Sequence, residues 1–195
     1  LSLLSHTYEQ LHLMSFDELA ANFKMEKLSR APARFDRNQL LHWQKEAVLA
    51  LNNEQTLTWL GADIVEKVPD DKRELFAEVM RKNILFPHEA QLWMDVFFCH
   101  EPQFTHEQQA VLQEAGPVFF MEAREAAITH GTDLKAICDV LKLKLNVSGK
   151  KLFMPLRVAL TGEQHGPEMM HIATLLGPGK MVNYFHHAEK MAKKD

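Results

Sequence analysis

The sequence predicts an all-α fold, a helical bundle or α-helix cage built from two consecutive helical units. Apolar residues recur at helical spacing in most segments, and strand-like alternation never lasts beyond about five residues. Helix-starting and helix-stopping residues divide the chain at short intervals. Hydrophobic residues make up 46% of the chain and charged residues 25%, which is ordinary for a globular protein with a buried core.

The first helices are predicted from their starting residues. Ser15, with Glu18 three residues later, is typical of a capping box, and Asp36 is the expected N-cap of the next helix. Pro69, followed by two acidic residues, indicates a third start. A further helix is expected over 88–98, where apolar side chains form one face.

The second helical unit is predicted to begin after a break at residues 100–102. Thr105 is expected to cap its first helix, Pro117 to start the second and Asp133 to start the third. Residues 152–160 are apolar enough to be buried on most sides, and a glycine pair at 177 and 179 is expected to separate the last two helices.

Composition and terminal sequence exclude several classes of protein. No run of 18 or more apolar residues could span a membrane, and the first residues do not resemble an export signal. Cys99 and Cys138 are the only cysteines, which argues against a disulfide scaffold and fits a cytoplasmic location. The chain begins with Leu1 rather than Met, which indicates truncation or processing.

The charge is unevenly distributed along a chain whose net charge is −4. Between residues 140 and 162 there are bases and no acid; the bases are Lys142, Lys144, Lys150, Lys151 and Arg157. Such a basic stretch permits docking on phosphates. A solvated charged surface without any ligand is the alternative interpretation.

No pattern in the sequence predicts a catalytic or metal site. Phosphate-binding glycine loops and the nucleophile motif of hydrolases are absent from the sequence. His186 and His187 are adjacent, so on a helix they point in different directions and do not chelate one ion. We therefore predict no catalytic residue, no metal and no cofactor in this chain.

Two separated motifs resemble the C-terminal anticodon-binding region of bacterial glutamyl-tRNA synthetases. Residues 23–36, FKMEKLSRAPARFD, match the layout of a segment that follows the catalytic half of those enzymes. Residues 149–162, GKKLFMPLRVALTG, are similar to a motif near their C-terminus. The resemblance covers roughly residues 15–190 and is weak between 47 and 145.

The resemblance implies a division of the chain and a biological role. Residues 1–35 would end the region that contacts the tRNA stem, 36–100 would form a first anticodon-side unit, and 103–195 would form the anticodon-binding cage. The parent enzyme would attach glutamate to tRNA-Glu with ATP and magnesium, through a catalytic half of the same polypeptide. This fragment lacks that half and is expected to be inactive alone and monomeric.

The resemblance also implies which residues contact the anticodon. Arg157, Gly166, Pro167 and Met169 fall on positions that line the anticodon surface in the family. A further family position, which can carry an arginine that tests the third anticodon base, falls at Asn83, with Arg81 close by. Because Asn83 is not arginine, tRNA-Gln is a second candidate partner beside tRNA-Glu.

The residues themselves favour these roles while leaving alternatives. Arg157 follows Pro155 in an apolar segment, so packing can fix its guanidinium toward a base edge or phosphate. Its alternative role is an ion pair with Glu122 or Glu163. The aromatic residues are predicted to be core rather than base-stacking groups; they are Trp93, Phe97, Phe98, Phe119 and Phe120.

Two other classes of function are consistent with the same sequence. A helical protein-interaction module without RNA binding would use the basic stretch only as surface. A stand-alone paralogue acting on another RNA would have to be encoded without a catalytic half. Salt dependence separates RNA binding from an apolar docking groove, because phosphate contacts weaken steeply with added salt.

Overall fold

The fold is described by a computed structural model that covers residues 6–9, 12–29 and 35–193. The chain divides into two compact units, Leu1–Asn52 and Asn53–Asp195. Both sides of the predicted break near residue 100 belong to the second unit. The division into stem-contacting, first anticodon-side and cage regions stays a prediction. The part of the first resembling motif at residues 30–34 lies outside the described residues.

Among its described residues, the first unit contains two α-helices that begin at the predicted caps. Helix α1 spans Phe16–Asn22, and the Ser15 hydroxyl accepts the Glu18 backbone N–H at 3.2 Å while the Glu18 carboxylate accepts the Ser15 N–H at 2.7 Å. Helix α2 spans Arg37–Leu49, and Asp36 accepts the Asn38 N–H at 2.9 Å. Both capping predictions are therefore confirmed, because each depends only on residues within one turn.

Described residues of the first unit also include a short 3-10 turn, Met25–Lys27, and one antiparallel bridge between His6 and Leu28. The His6 ring is stacked on Phe23 at 5.0 Å between centroids and lies 4.3 Å from the Tyr8 ring. No β-strand longer than this bridge occurs in the described part of the chain, so the all-α prediction is confirmed.

The second unit is built from nine α-helices among its described residues, with short 3-10 turns at Asp70–Lys72 and Pro87–Glu89. The helices are α3 Asn53–Leu60, α4 Ala62–Val65, α5 Arg73–Asn83, α6 Ala90–Met94, α7 His106–Ala115, α8 Pro117–His130, α9 Leu134–Leu145, α10 Lys150–Thr161 and α11 Met169–Met191. Thr105 and Asp133 cap α7 and α9 as predicted.

One hydrophobic core runs through the second unit. Helix α8 packs against α9 and α11, while α10 packs against α7 and α11. The largest enclosed side chains include Phe76, Phe97, Phe120, Leu156 and Phe185. Each stabilises the fold by about 1.5–3 kcal/mol relative to an exposed position. The core predictions for Trp93, Phe97, Phe119 and Phe120 are confirmed, and Phe98 is partly buried against the same cluster.

Two features of the second unit differ from the sequence predictions. Helix α6 continues into a π-helical turn, Asp95–Cys99, rather than remaining α-helical. The predicted separation of the last two helices is confirmed, but it takes one residue rather than the whole segment 177–179. Helix α11 breaks at Gly177 alone, where φ is +76°, and Pro178 starts the next turn at once. No helix among the described residues is long and apolar enough to cross a membrane.

Candidate nucleic-acid interface

The loop between α10 and α11 is held tightly at its start. The Thr161 hydroxyl donates to the Arg157 carbonyl at 2.8 Å and accepts the Glu163 N–H at 3.0 Å. Gly162 has φ +70°, and a Cβ there would meet the Gln103 carbonyl oxygen at 3.0 Å. Only glycine combines this backbone conformation with so close an approach to the segment at 102–103.

Arg157 crosses this loop and fixes its far end. The Arg157 Nη1 donates to the Pro167 carbonyl at 2.9 Å across ten residues of sequence. Pro167 is buried, and burial lowers the pKa of the half-buried Arg157 guanidinium from its ordinary value, although arginine remains charged. The guanidinium has five N–H donors, so this single bond leaves others available for a ligand.

The alternative ion pair for Arg157 is not formed in the described part of the chain. Glu122 is instead engaged by the Lys144 ammonium at 2.6 Å. No ion pair links Arg157 to Glu163 or to another described acid. Arg157 is therefore a charged group anchored by a backbone carbonyl rather than neutralised by a carboxylate.

Gly166 lies directly on the indole of Trp93. A Cβ at Gly166, where φ is +142°, would overlap the Cη2 and Cζ2 atoms of that ring. Trp93 is itself buried and stacked on Phe97 at 5.8 Å between centroids. The core residue Trp93 therefore supports the loop that carries Gly166 and Pro167.

Met169 is the first residue of α11, immediately after this loop. Its side chain is partly buried against the core, whereas that of Met170 is exposed. The first backbone N–H groups of a helix lack partners within the helix. The structure therefore brings Arg157, Gly166, Pro167 and Met169 together around one loop and one helix start.

Asn83 and Arg81 lie on a different element, the last turn of α5. The Asn83 side chain is exposed, and its Nδ2 donates to the Val79 carbonyl at 2.8 Å. Helix α5 packs against α11. The pKa of Glu78 on α5 is lowered mainly by Lys82 and to a smaller extent by the charges of His171 and Arg81, which places the start of α11 near this turn.

The basic stretch divides into paired and unpaired lysines. Lys142 pairs with Asp139 at 2.9 Å, and Lys144 pairs with Glu122. Lys150 and Lys151 are exposed on the first turn of α10 and have no ion-pair partner among the described residues. The unpaired positive charge of the stretch is therefore concentrated at the N-terminal end of α10 and at Arg157.

This arrangement defines a helical domain with an anchored arginine and a basic helix start, suited to holding a polyanion. A family model described as "Anticodon binding domain" matches residues 65–188, which include every candidate residue above. That span is more than half of the chain. The chain belongs to the anticodon-binding domain family.

Curated relatives agree with that assignment. The chain is 38% identical over 188 residues to "Glutamate--tRNA ligase 2" of Coxiella burnetii (strain RSA 331), covering 96% of this chain and 40% of the relative. It is 39% identical over 181 residues to "Glutamate--tRNA ligase 2" of Nitrosococcus oceani, covering 93% and 38%. The chain thus spans about 40% of the length of these relatives.

Solved structures share the fold. A crystal structure of a glutamate tRNA ligase from Elizabethkingia meningosepticum superposes with a TM-score of 0.82 at 21% identity, covering 98% of this chain and 40% of that chain. Glutamate-tRNA synthetase from Elizabethkingia anophelis gives a TM-score of 0.78 at 20% identity, covering 96% and 39%. At these identities the likeness establishes the fold alone.

The sequence did not indicate the contact between Trp93 and Gly166. These residues are 73 positions apart, and an apolar helix face predicts burial without naming the partner. The pairing of Lys142 and Lys144 was likewise absent from the prediction. The Lys142 partner lies three residues away on the same helix, so helical spacing could have indicated it.

Proposed function

We propose that this chain is the anticodon-binding part of a glutamate–tRNA ligase and holds the anticodon arm of tRNA-Glu. The observation that carries the proposal is the position of the Arg157–Pro167 cluster inside the span matched by the anticodon-binding family. The identity to curated glutamate–tRNA ligases over most of the chain supports the same parent enzyme.

The geometry of the cluster suits unstacked bases. Such bases are recognised by edge hydrogen bonds, stacking and phosphate contacts. Arg157 offers a guanidinium whose direction is fixed by the Pro167 carbonyl, with further N–H groups free to meet a base edge or phosphate. Gly166 is exposed and lacks a side chain, so a nucleotide can approach the backbone closely beside Pro167.

The parent reaction requires parts outside this chain. We expect a catalytic half of the same polypeptide to activate glutamate with ATP and magnesium and to transfer it to the tRNA. The role of this chain is to hold the anticodon arm so that the acceptor end reaches that half. Alone, as a cytoplasmic monomer, it is expected to bind tRNA without charging it. Formation of aminoacyl-adenylate by the isolated chain would contradict this expectation.

Asn83 makes tRNA-Gln a second candidate partner. Its side chain is an amide that donates to the helix backbone, so the guanidinium expected of a residue testing the third anticodon base is absent there. If this position meets that base, Asn83→Arg should weaken tRNA-Gln binding relative to tRNA-Glu. Arg81 lies on the same turn and serves as the nearby cation.

The proposal is tested by titrating the chain with tRNA-Glu, tRNA-Gln and an unrelated tRNA at two salt concentrations. We expect preference for tRNA-Glu, or for tRNA-Glu and tRNA-Gln together, with affinity that falls as salt rises. Equal binding to all three tRNAs would show that the chain binds tRNA phosphates without recognising the anticodon. No binding at either salt concentration would contradict the proposal.

A further inference from the structure

Helix α11 consists of two halves that meet at Gly177. The backbone there has φ +76° and ψ 166°, which lies outside the α-helical region, and Pro178 has no N–H to bond back to the preceding turn. A helix leaves carbonyls in its last turn without donors of its own. The first half, residues 169–176, therefore ends with backbone acceptors that other groups must satisfy.

The second half of α11 is held by the π-helical turn and the residue that follows it. The Lys180 ammonium donates to the Phe97 carbonyl at 2.8 Å, and the Tyr184 hydroxyl donates to the His100 carbonyl at 2.8 Å. Both donors come after the break. These bonds position the second half, and the first half depends on contacts of its own.

Lys72 holds the end of the first half. Its ammonium donates to the Leu175 carbonyl at 2.5 Å, across 103 residues of sequence. The same nitrogen lies at the break, because a Cβ on Gly177 would be 3.5 Å from it. A lysine ammonium at a helix C-terminus satisfies a carbonyl of the last turn and interacts favourably with the helix dipole.

Helix α5 begins directly after Lys72 and runs alongside the first half of α11. Further along α5, the pKa of Glu78 is lowered mainly by Lys82 and to a smaller extent by the charge of His171. Lys72 thus meets Leu175, and Glu78 lies within electrostatic reach of His171. The chain number rises on one helix as it falls on the other, so the two helices run in opposite directions.

Both groups of candidate tRNA contacts lie at the end of this helix pair that is opposite to Lys72. Asn83 and Arg81 are on the last turn of α5, and Met169 is the first residue of α11. Apolar burial holds two helices together but is not directional. A charge-assisted hydrogen bond is directional, so the bond from Lys72 fixes how far one helix lies along the other.

We infer that Lys72 is a positioning residue, which fixes the first half of α11 along α5 and so sets the spacing between the two groups of tRNA contacts. The inference rests on the proposed function, because it assigns a part in tRNA binding to a side chain that bonds a carbonyl and not the RNA. Loss of the ammonium should loosen the first half of α11 and weaken tRNA binding.

The structural part of the inference is tested by hydrogen–deuterium exchange of the full chain carrying Lys72→Met, which keeps an unbranched side chain without the donor. We expect the amides of residues 172–176 to exchange about tenfold faster, and those of residues 181–190 to be unchanged. Lys72→Arg retains a charged donor and should stay within about threefold of the parent chain. Lys67→Met is the matched control, because Lys67 is an exposed lysine in the turn after α4.

The functional part is tested by titrating the same variants with tRNA-Glu at two salt concentrations. Lys72→Met should weaken binding by about three- to tenfold, because the two groups of contacts are no longer held at one spacing. Its salt dependence should equal that of Lys67→Met, since the lost ammonium bonds a carbonyl rather than a phosphate. Lys67→Met should itself change affinity by no more than about twofold.

The outcomes separate this inference from the proposed function. Unchanged exchange at residues 172–176 in Lys72→Met, or equally fast exchange in Lys72→Arg, would overturn the inference. Faster exchange in both segments, or a variant that does not fold, would show that Lys72 supports the whole core rather than one half of α11, which also overturns it.

Two binding results would overturn the inference while leaving the proposed function intact. Unaltered affinity in Lys72→Met despite faster exchange would show that the spacing does not matter for tRNA binding. A salt dependence shallower by about one contact would show that Lys72 holds a phosphate. If the parent chain binds no tRNA at either salt concentration, both proposals fail.

Discussion

The two ends of helix α10 are built in opposite ways. At its C-terminal end, Thr161, Gly162 and Arg157 are all engaged, by the next loop or by the segment at 102–103. At its N-terminal end, Lys150 and Lys151 are exposed and unpaired among the described residues, beside an open cavity. One end therefore fixes backbone shape, whereas the other presents charge. Substitutions at the first should change stability, together with RNA affinity at Arg157, and those at the second should change RNA affinity.

The largest expected effect comes from Gly166→Ala, in the loop that follows the C-terminal end of α10. The new Cβ would overlap the Trp93 ring, and the backbone has a positive φ that L residues rarely adopt. We expect the free energy of unfolding to fall by about 2–3 kcal/mol, measured by urea denaturation. Gly179→Ala is the matched control, because a Cβ there meets nothing within 4 Å. It should leave stability equal or raise it by up to about 1 kcal/mol. Equal losses in the two variants would show that the Trp93 contact is unimportant.

The next effect is a pH dependence that arises from Tyr184 in α11. The buried Tyr184 hydroxyl donates to the His100 carbonyl at 2.8 Å, and burial raises the pKa of Tyr184 from 10.0 to about 12. The folded state keeps the proton that the unfolded state loses, so this stabilisation is complete below about pH 10 and is lost as pH rises toward 12. At about pH 11 the loss should reach roughly 1.4 kcal/mol.

Tyr184→Phe isolates this contribution. The variant lacks the hydroxyl, so its free energy of unfolding should fall less between about pH 9 and pH 11 than that of the parent chain. Measuring both proteins at both pH values removes the constant effect of the lost hydrogen bond and the common effect of lysine titration. Parallel pH curves would show that Tyr184 is not the responsible group.

Arg157→Ala should change both the stability of the fold and the binding of tRNA. Loss of the bond to Pro167 should lower the free energy of unfolding by about 1 kcal/mol, which is the usual net contribution of one hydrogen bond. Binding of tRNA should weaken by about 1–3 kcal/mol. Thermal denaturation and tRNA titration on the same samples measure both. A large stability loss with unaltered binding would make Arg157 a purely structural residue.

The smallest effect on stability is expected at the N-terminal end of α10. Lysines near a helix N-terminus oppose the helix dipole, so Lys150→Ala, Lys151→Ala should stabilise the fold by about 0.5 kcal/mol. The same variant should bind tRNA less tightly, so its stability and affinity move in opposite directions. A fall in thermal midpoint would show that these lysines have structural partners.

Helix starts could be predicted from the sequence because their causes are local. Ser15, Asp36, Thr105 and Asp133 each accept a backbone N–H two or three residues ahead, so spacing alone indicates the interaction. Helices α3 and α4 were not predicted, since a buried Thr56 interrupts the apolar pattern and Gly61, with φ +91°, divides the segment. The π-helical turn has no distinct residue pattern of its own.

The candidate site could be predicted only in part. Arg157 was identified, but the acids proposed for it were chosen by charge, and a backbone carbonyl such as that of Pro167 has no side-chain signal. The Trp93 contact and the cavity beside α10 depend on how distant helices pack, which periodicity does not specify. Local hydrogen bonds are therefore predictable, and long-range surfaces are not.

The two cysteines differ in a way that makes the molecule easy to observe. Cys99 is exposed at the end of the π-helical turn, whereas Cys138 is enclosed in the core and burial raises its thiol pKa. The thiolate is the reactive form, so an electrophilic dye should attach to Cys99 alone in the native state. Cys99 follows Trp93, whose ring supports Gly166, by six residues in the same helical segment. A single fluorophore can therefore report on events at that loop without any engineered residue.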